Sequence, residues 1–261
     1  MHISCAFAYI QRKYKAYNAI TPGNSVLWDL SYGLYLKERL CTKDIRMKKT
    51  KIIIVRHGES VGNATRVMLG HTDLDLSEHG YKQAECTAKH LENEKIDAIY
   101  SSDLMRAYNT AVPHATRRGM EIRRERGFRE LCVGDWEGKS VAEIIDKWGD
   151  MFKKEWHESF GTFKFPGGEG VMDGGRRFYD AVIKVARGHE GQTVMICAHA
   201  AVIRSFWSII SEIEPEKIVD ELPFPTNASY SVAYFDGERI APAEYSCDEH
   251  LAELGITRVL T

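Results

Sequence analysis

No stretch of this chain comes near the roughly 18 consecutive apolar residues that a membrane-spanning helix requires. Its cysteines, at 5, 41, 86, 132, 197 and 247, form no Cys-x-x-Cys pair and no zinc-like spacing. A disulfide framework or a structural zinc site is therefore a poor account of them, and ordinary thiols in a reducing, cytoplasmic setting are expected. Excess charge is missing too: 35 Lys and Arg face 37 Asp and Glu, for a net charge of −2 and a pI near 6.6. Such a balance gives no global attraction to nucleic acid or anionic lipid, so any anion site must be local. There is no GxxxxGK[ST] loop, no carboxylate and histidine cluster suited to a metal, no internal repeat and no low-complexity tract. The expectation is no metal or other cofactor, no nucleic-acid partner and no membrane.

What is present suffices for a full core: 44% of the 261 residues are hydrophobic, which reads as one large domain. The first 46 residues look different. Their opening apolar run is short, and its basic residues follow rather than precede it, which fits a signal peptide poorly. Met47-Lys48-Lys49-Thr50-Lys51 is the kind of charged start that precedes a first strand. The expectation is that Met47 is the natural start, with 1–46 an upstream extension, non-native or disordered, and 47–261 the domain. A genuine appendage or anchor is the alternative.

From residue 51 onward strand-like and helix-like stretches alternate. Residues 51–56 are a continuous apolar run suited to a central parallel strand covered on both faces. Ser77 is placed to cap a helix running to about 94, with Ala84, Ala88 and Leu91 on one side. A second strand is predicted at 97–102, then a helix that Pro113 bends or interrupts, and a third strand at 121–125. Helices are predicted for 141–156 and 172–188, separated by the turn-rich FPGGEG at 165–170. A strand at 192–199 leads into a helix over 201–211, and a hairpin turning at Asp236-Gly237 closes the pattern. The fold class is α/β: three α/β/α layers around a mostly parallel sheet with an antiparallel edge.

The first strand ends on charge. IIIVRH finishes on Arg56 and His57, and VMICAH finishes on His199. In open parallel sheets ligands bind beyond the carboxyl ends of the strands. Neighbouring strands would bring both imidazoles into one crevice. A buried strand end made of cations calls for an anion.

RHGES with Asn63 (56–63), LDLSEHGYKQA (74–84), SSDLMRAYNTA (101–111), RELCVGDWEG (129–138), PGGEG (166–170) and AHAAVIR (198–204) occur in an order that resembles the histidine phosphatase superfamily, the phosphoglycerate mutase-like fold. Many members carry glycine where Ala200-Ala201 stand. The resemblance implies that His57 is the nucleophile of a phosphohistidine intermediate and Glu130 the acid that protonates the leaving oxygen. Arg56, Arg106 and His199 then grip the phosphate, and Asn63, Gly70 and Ala200 contact the substrate. The arginine forks suit a dianion, and nearby arginines should lower the His57 pKa. A backbone carbonyl should fix the tautomer of His57, without the sequence saying which nitrogen it engages.

Several residues read as structural: Glu59 as a solvated or structural partner, Ser60 as a turn cap or a site contact, and Glu169 as a former of the pocket wall or the loop. Trp136, Trp148 and Trp156 read as packing, and Lys153, Lys154 and Lys164 as a wet face of a cap over the substrate. The expected activity is metal-independent hydrolysis of a small phosphorylated metabolite. The alternatives are a 2,3-bisphosphoglycerate-dependent phosphoglycerate mutase and a non-catalytic phosphate-ester binder. The hairpin edge near 228–243 offers a surface for a homodimer.

Overall fold

The unbroken Ile52-Ile53-Ile54-Val55 run is explained by what lies on its two sides. In the computed structural model, which describes residues 48–254, strand β1 (Thr50–Arg56) sits inside a six-stranded sheet of order β3-β2-β4-β1-β5-β6. Ile52 and Ile54 point into one core, Ile53 and Val55 into another, and all four are buried. A strand covered on both faces has no solvent side to mark with polar residues.

The elements follow the predicted alternation. β1 leads through a single helical turn, Val61–Ala64, to helix α1 (Glu78–His90), β2 (Ala98–Ser101), α2 (Met105–Arg118) and β3 (Ile122–Arg124). Then come α3 (Val141–Asp150), α4 (Val171–Arg187), β4 (Thr193–Ala198), α5 (Ala200–Ile210), β5 (Tyr230–Phe235) and β6 (Ile240–Cys247). β3, β2, β4 and β1 pair in parallel, and β5 and β6 add the antiparallel edge. Leu91, Ala111 and Ala115, carried by or just beyond α1 and α2, close one face of the sheet. On the other face Phe178 of α4 packs against Phe206 of α5 and against Phe128.

Local signals explain several boundaries. The Ser77 hydroxyl accepts the Gly80 N–H at 3.0 Å and caps α1. Pro113 does not interrupt α2: the helix runs from 105 to 118 with the proline buried inside it. Burial of this stretch of α2 outweighs one missing backbone bond. The predicted helix over 141–156 is two pieces, because Trp148 leaves helical geometry at φ −128°, ψ 30° and a π-helical segment, Met151–His157, follows α3. The start at Met47 and the reading of 1–46 lie outside the described residues. Among the described residues no helix is long and apolar enough to cross a membrane, and Cys86, Cys132, Cys197 and Cys247 are unpaired.

The segment 132–170 builds an aromatic cap. Trp136 is completely buried, with ring centroids of Phe165 and Phe163 at 5.2 and 5.4 Å and of Phe152 at 5.7 Å. The PGGEG loop closes onto it through Asp135 N–H to Pro166 O at 2.8 Å and Glu169 N–H to Cys132 O at 3.0 Å. Gly134, at φ 53°, sits where a Cβ would come 2.2 Å from the Pro166 carbonyl, so only glycine fits. Trp136→Ala should cost about 3–5 kcal/mol in urea unfolding. Trp136→Phe should cost less than about 2 kcal/mol, because the indole N–H of Trp136 has no partner to lose. Equal losses for the two variants would contradict this packing account.

Candidate active site

β1 and β4 are direct neighbours, with Arg56 opposite Ala198 and the His57 N–H bonded to Ala198 O at 2.9 Å. Both strands therefore end in step, and the rings of His57 and His199 lie 5.2 Å apart. Arg106 joins them from the second position of α2, fully buried.

The tautomer of His57 follows from its partner. Its Nδ1 lies 2.7 Å from the Gly58 carbonyl, which can only accept, so Nδ1 carries the proton and Nε2 keeps a lone pair. Burial first, then Arg106 and Arg56, holds the imidazole well below its ordinary 6.5. His199 is lowered in the same way, by burial and then by Arg106 and His57. Burial pulls Arg56 and Arg106 down to about 10, so both stay cationic at neutral pH.

Several polar atoms here have no partner within the protein: both ring nitrogens of His199 and Nε of Arg56. Leaving a buried donor unsatisfied costs about 1–3 kcal/mol, so their convergence beside a cation pair marks an anion site. Each arginine is held by carbonyls rather than by carboxylates. Arg106 donates from Nη1 to Thr72 O at 2.9 Å and from Nη2 to Gly70 O at 2.8 Å, and Arg56 donates to Pro225 O at 2.6 Å. Carbonyls aim a guanidinium without neutralising it.

Glu130 also lines the pocket, its carboxylate on the N-terminus of α5. Oε1 accepts from Leu131 N at 3.0 Å and Val202 N at 3.1 Å, and Oε2 accepts only from Ala201 N at 3.2 Å. Helix N-termini favour negative charge. Arg129 does not pair with Glu130; it makes two bonds to Asp103, at 2.7 and 2.6 Å.

The pocket is lined by Arg56, His57, Asn63, Gly70, Arg106, Glu130 and Ala200 together with apolar side chains. His199 is fully buried, with its ring 5.2 Å from that of His57. Gly70 serves through its backbone: its φ is 49°, its carbonyl holds Arg106, and a Cβ would come 2.2 Å from the Glu137 carboxylate. Ser60 does both of the things expected of it, capping the turn at Val61–Ala64 while lining the pocket. Glu59 accepts from the Ser77 hydroxyl at 2.6 Å. Trp156 both packs and reaches the pocket wall, and so exceeds its expected role.

The sequence profile of the histidine phosphatase superfamily, branch 1, matches residues 52–248. The chain belongs to that superfamily. It is 33% identical over 204 residues to phosphoserine phosphatase 1 of Hydrogenobacter thermophilus, covering 78% of this chain and 95% of the relative. It is 29% identical over 177 residues to a 2,3-bisphosphoglycerate-dependent phosphoglycerate mutase of Bartonella tribocorum, covering 65% and 85%. Among solved structures, Bacillus stearothermophilus YhfR superposes with a TM-score of 0.72 at 30% identity, over 77% of this chain and 99% of that one. A phosphoglycerate mutase from Bacillus anthracis, 18% identical, shares the fold at a TM-score of 0.68, over 80% and 98%. As a member of the histidine phosphatase superfamily the protein is an enzyme, a phosphatase or a mutase.

Other residues that shape this site escaped sequence reasoning. Glu137 clamps the 70–72 loop through His71 N, Thr72 N and the Thr72 hydroxyl, at 2.8, 2.9 and 2.8 Å. Arg177 binds the carbonyls of Gly127, Arg129 and Glu130 and pairs with Glu169 at 2.7 Å. Of the two places expected for Glu169, that pairing puts it in the loop; it is not part of the pocket wall. His71 reaches Glu130 O at 2.8 Å, and Asn227 donates to His57 O at 3.1 Å. Only Glu137 and Glu169 lay inside a quoted motif; nothing local marks the other three.

Because burial keeps His57 neutral, its Cε1–H NMR signal, assigned by comparison with His57→Gln, should not titrate between pH 6 and 8. A midpoint near 6.5 would overturn the account. For stability the sign is fixed as well. A histidine whose folded pKa is depressed contributes stability that is fully present above about 6.5 and is lost as pH falls below that value.

Proposed function

We propose that this chain is a metal-independent phosphomonoesterase that acts on a small phosphorylated metabolite through a phosphohistidine at His57. The observation that carries the reading is the free Nε2 of His57, set by the Nδ1 bond to Gly58 O, in a crevice walled by two buried arginines.

In the first step the Nε2 lone pair attacks phosphorus, the P–O bond to the alcohol breaks, and the departing oxygen takes a proton from Glu130. Oε2, which accepts a single backbone bond, is the atom freer to carry that proton. In the second step water attacks the phosphohistidine, Glu130 accepts the water proton, and the P–N electron pair returns to Nε2. Arg56, Arg106 and His199 hold the phosphoryl oxygens throughout, supplying charge and position, which are what phosphoryl transfer chiefly needs. The Asn63 amide and the backbone around Gly70 and Ala200 complete the contacts.

The mutase reading shares these residues and is supported by relatives named as 2,3-bisphosphoglycerate-dependent phosphoglycerate mutases. Inorganic phosphate release from p-nitrophenyl phosphate in excess EDTA separates the two. Release should persist and should vanish in His57→Ala. Glu130→Gln should slow alkyl esters about 10²-fold or more, in the range of general acid catalysis, and p-nitrophenyl phosphate much less. Turnover only when 2,3-bisphosphoglycerate is supplied would favour the mutase, and equal losses on both ester types would reject the acid role of Glu130.

A further inference from the structure

Every ionisable side chain that lines the pocket belongs to its phosphate end. Among the described residues these are Arg56, His57, Arg106 and Glu130. Both terminal nitrogens of Arg106 and one of Arg56 are already directed by carbonyls, so these guanidinium groups are fixed at the phosphate end. The Ser60 hydroxyl is occupied as well: its Oγ donates to Asn63 Oδ1 at 2.9 Å and accepts from Asn63 N at 3.1 Å.

The rest of the wall is hydrocarbon and ring: Leu131, Val133, Phe152, Trp156, Phe165 and Phe224. Phe152 and Trp156 are presented by the π-helical segment, a rare geometry that is frequent at functional sites. Lysines of the same cap are available in sequence but not in space. Lys153 and Lys154 share that segment and Lys164 follows it, yet all three are exposed and none lines the pocket.

From this segregation we infer that the alcohol released here is apolar: the pocket selects phosphate monoesters of aliphatic or aromatic alcohols over esters that also carry a carboxylate or an ammonium group. The inference rests on the proposed hydrolysis and supplies its substrate class. A carboxylate or ammonium pushed against Phe152, Trp156 and Phe224 loses its water and finds no counter-charge, which is costly. A methylene placed there instead gains from burial. Phosphoserine, for which one relative is named, falls in the disfavoured class.

The test compares kcat/KM for primary alkyl esters whose leaving alcohols have similar acidity: propyl phosphate and 3-phenylpropyl phosphate against O-phosphoserine and 3-phosphoglycerate. 3-Phenylpropyl phosphate should exceed propyl phosphate at least tenfold, and both charged esters should fall below propyl phosphate. A charged ester turned over as efficiently as 3-phenylpropyl phosphate would overturn the inference. Calorimetric binding of two non-hydrolysable phosphonates to the unaltered protein, 3-phenylpropylphosphonate and 2-amino-4-phosphonobutyrate, keeps this question apart from hydrolysis. At least tenfold tighter binding of the apolar phosphonate sustains the inference even if no ester is hydrolysed, a result that would remove only the hydrolytic reading. Equal affinities, a reversed order, or no binding of either compound would reject it.

Discussion

Two guanidinium groups and two imidazoles are buried together where β1 and β4 end, and among the described residues no carboxylate makes an ion pair with either arginine. A protein interior tolerates such a concentration of positive charge only if its geometry is enforced from outside and an anion is its intended partner. Much of the architecture serves that enforcement. The sheet order sets the two strands side by side and the parallel register brings them to an end together. The carbonyls of Gly70, Thr72 and Pro225 then point the arginines without cancelling their charge. Had a carboxylate taken either place, the site would have been neutralised before substrate arrived.

The same economy explains the state of His57. A nucleophilic imidazole must be neutral at working pH and must expose one chosen nitrogen. Burial and the flanking arginines supply the first condition, and the Gly58 carbonyl one residue along the chain supplies the second. Glu130 is kept separate by a different device, the N-terminus of α5. The proposed acid and the proposed nucleophile are thus held by unrelated parts of the fold.

Around this centre further side chains hold the backbone that carries it. Glu137 fixes the loop that carries Gly70 and Thr72, and Arg177 with Glu169 fixes the segment from Gly127 to Glu130. Their bonds run mostly to backbone atoms, so they transmit position rather than charge. Beyond them the aromatic cap, built on Trp136, closes the pocket with rings. The division between a charged floor and an apolar wall is sharp because the cap's lysines project outward.

Much of this was legible in the residues themselves. The apolar run at 52–55, the Ser77 cap, the turn at Asp236-Gly237 and the two strands ending on histidine are local patterns with local causes, and the ordered motifs tied His57, Arg106, Glu130 and His199 to one chemistry. Pro113 misled because its cost is local while the burial that outweighs it is not. The break at Trp148 was invisible because helical periodicity alone does not distinguish an α from a π turn. Arg177, His71 and Asn227 could not be singled out, since a side chain that binds carbonyls remote in sequence leaves no pattern along the chain. The sequence by itself determined which groups could attack, protonate and grip a phosphate, because those are properties of residue types. Only the tertiary structure decided which nitrogen of His57 is free, which carbonyls aim the arginines and which way the cap's lysines face, because each depends on the position of atoms far away along the chain.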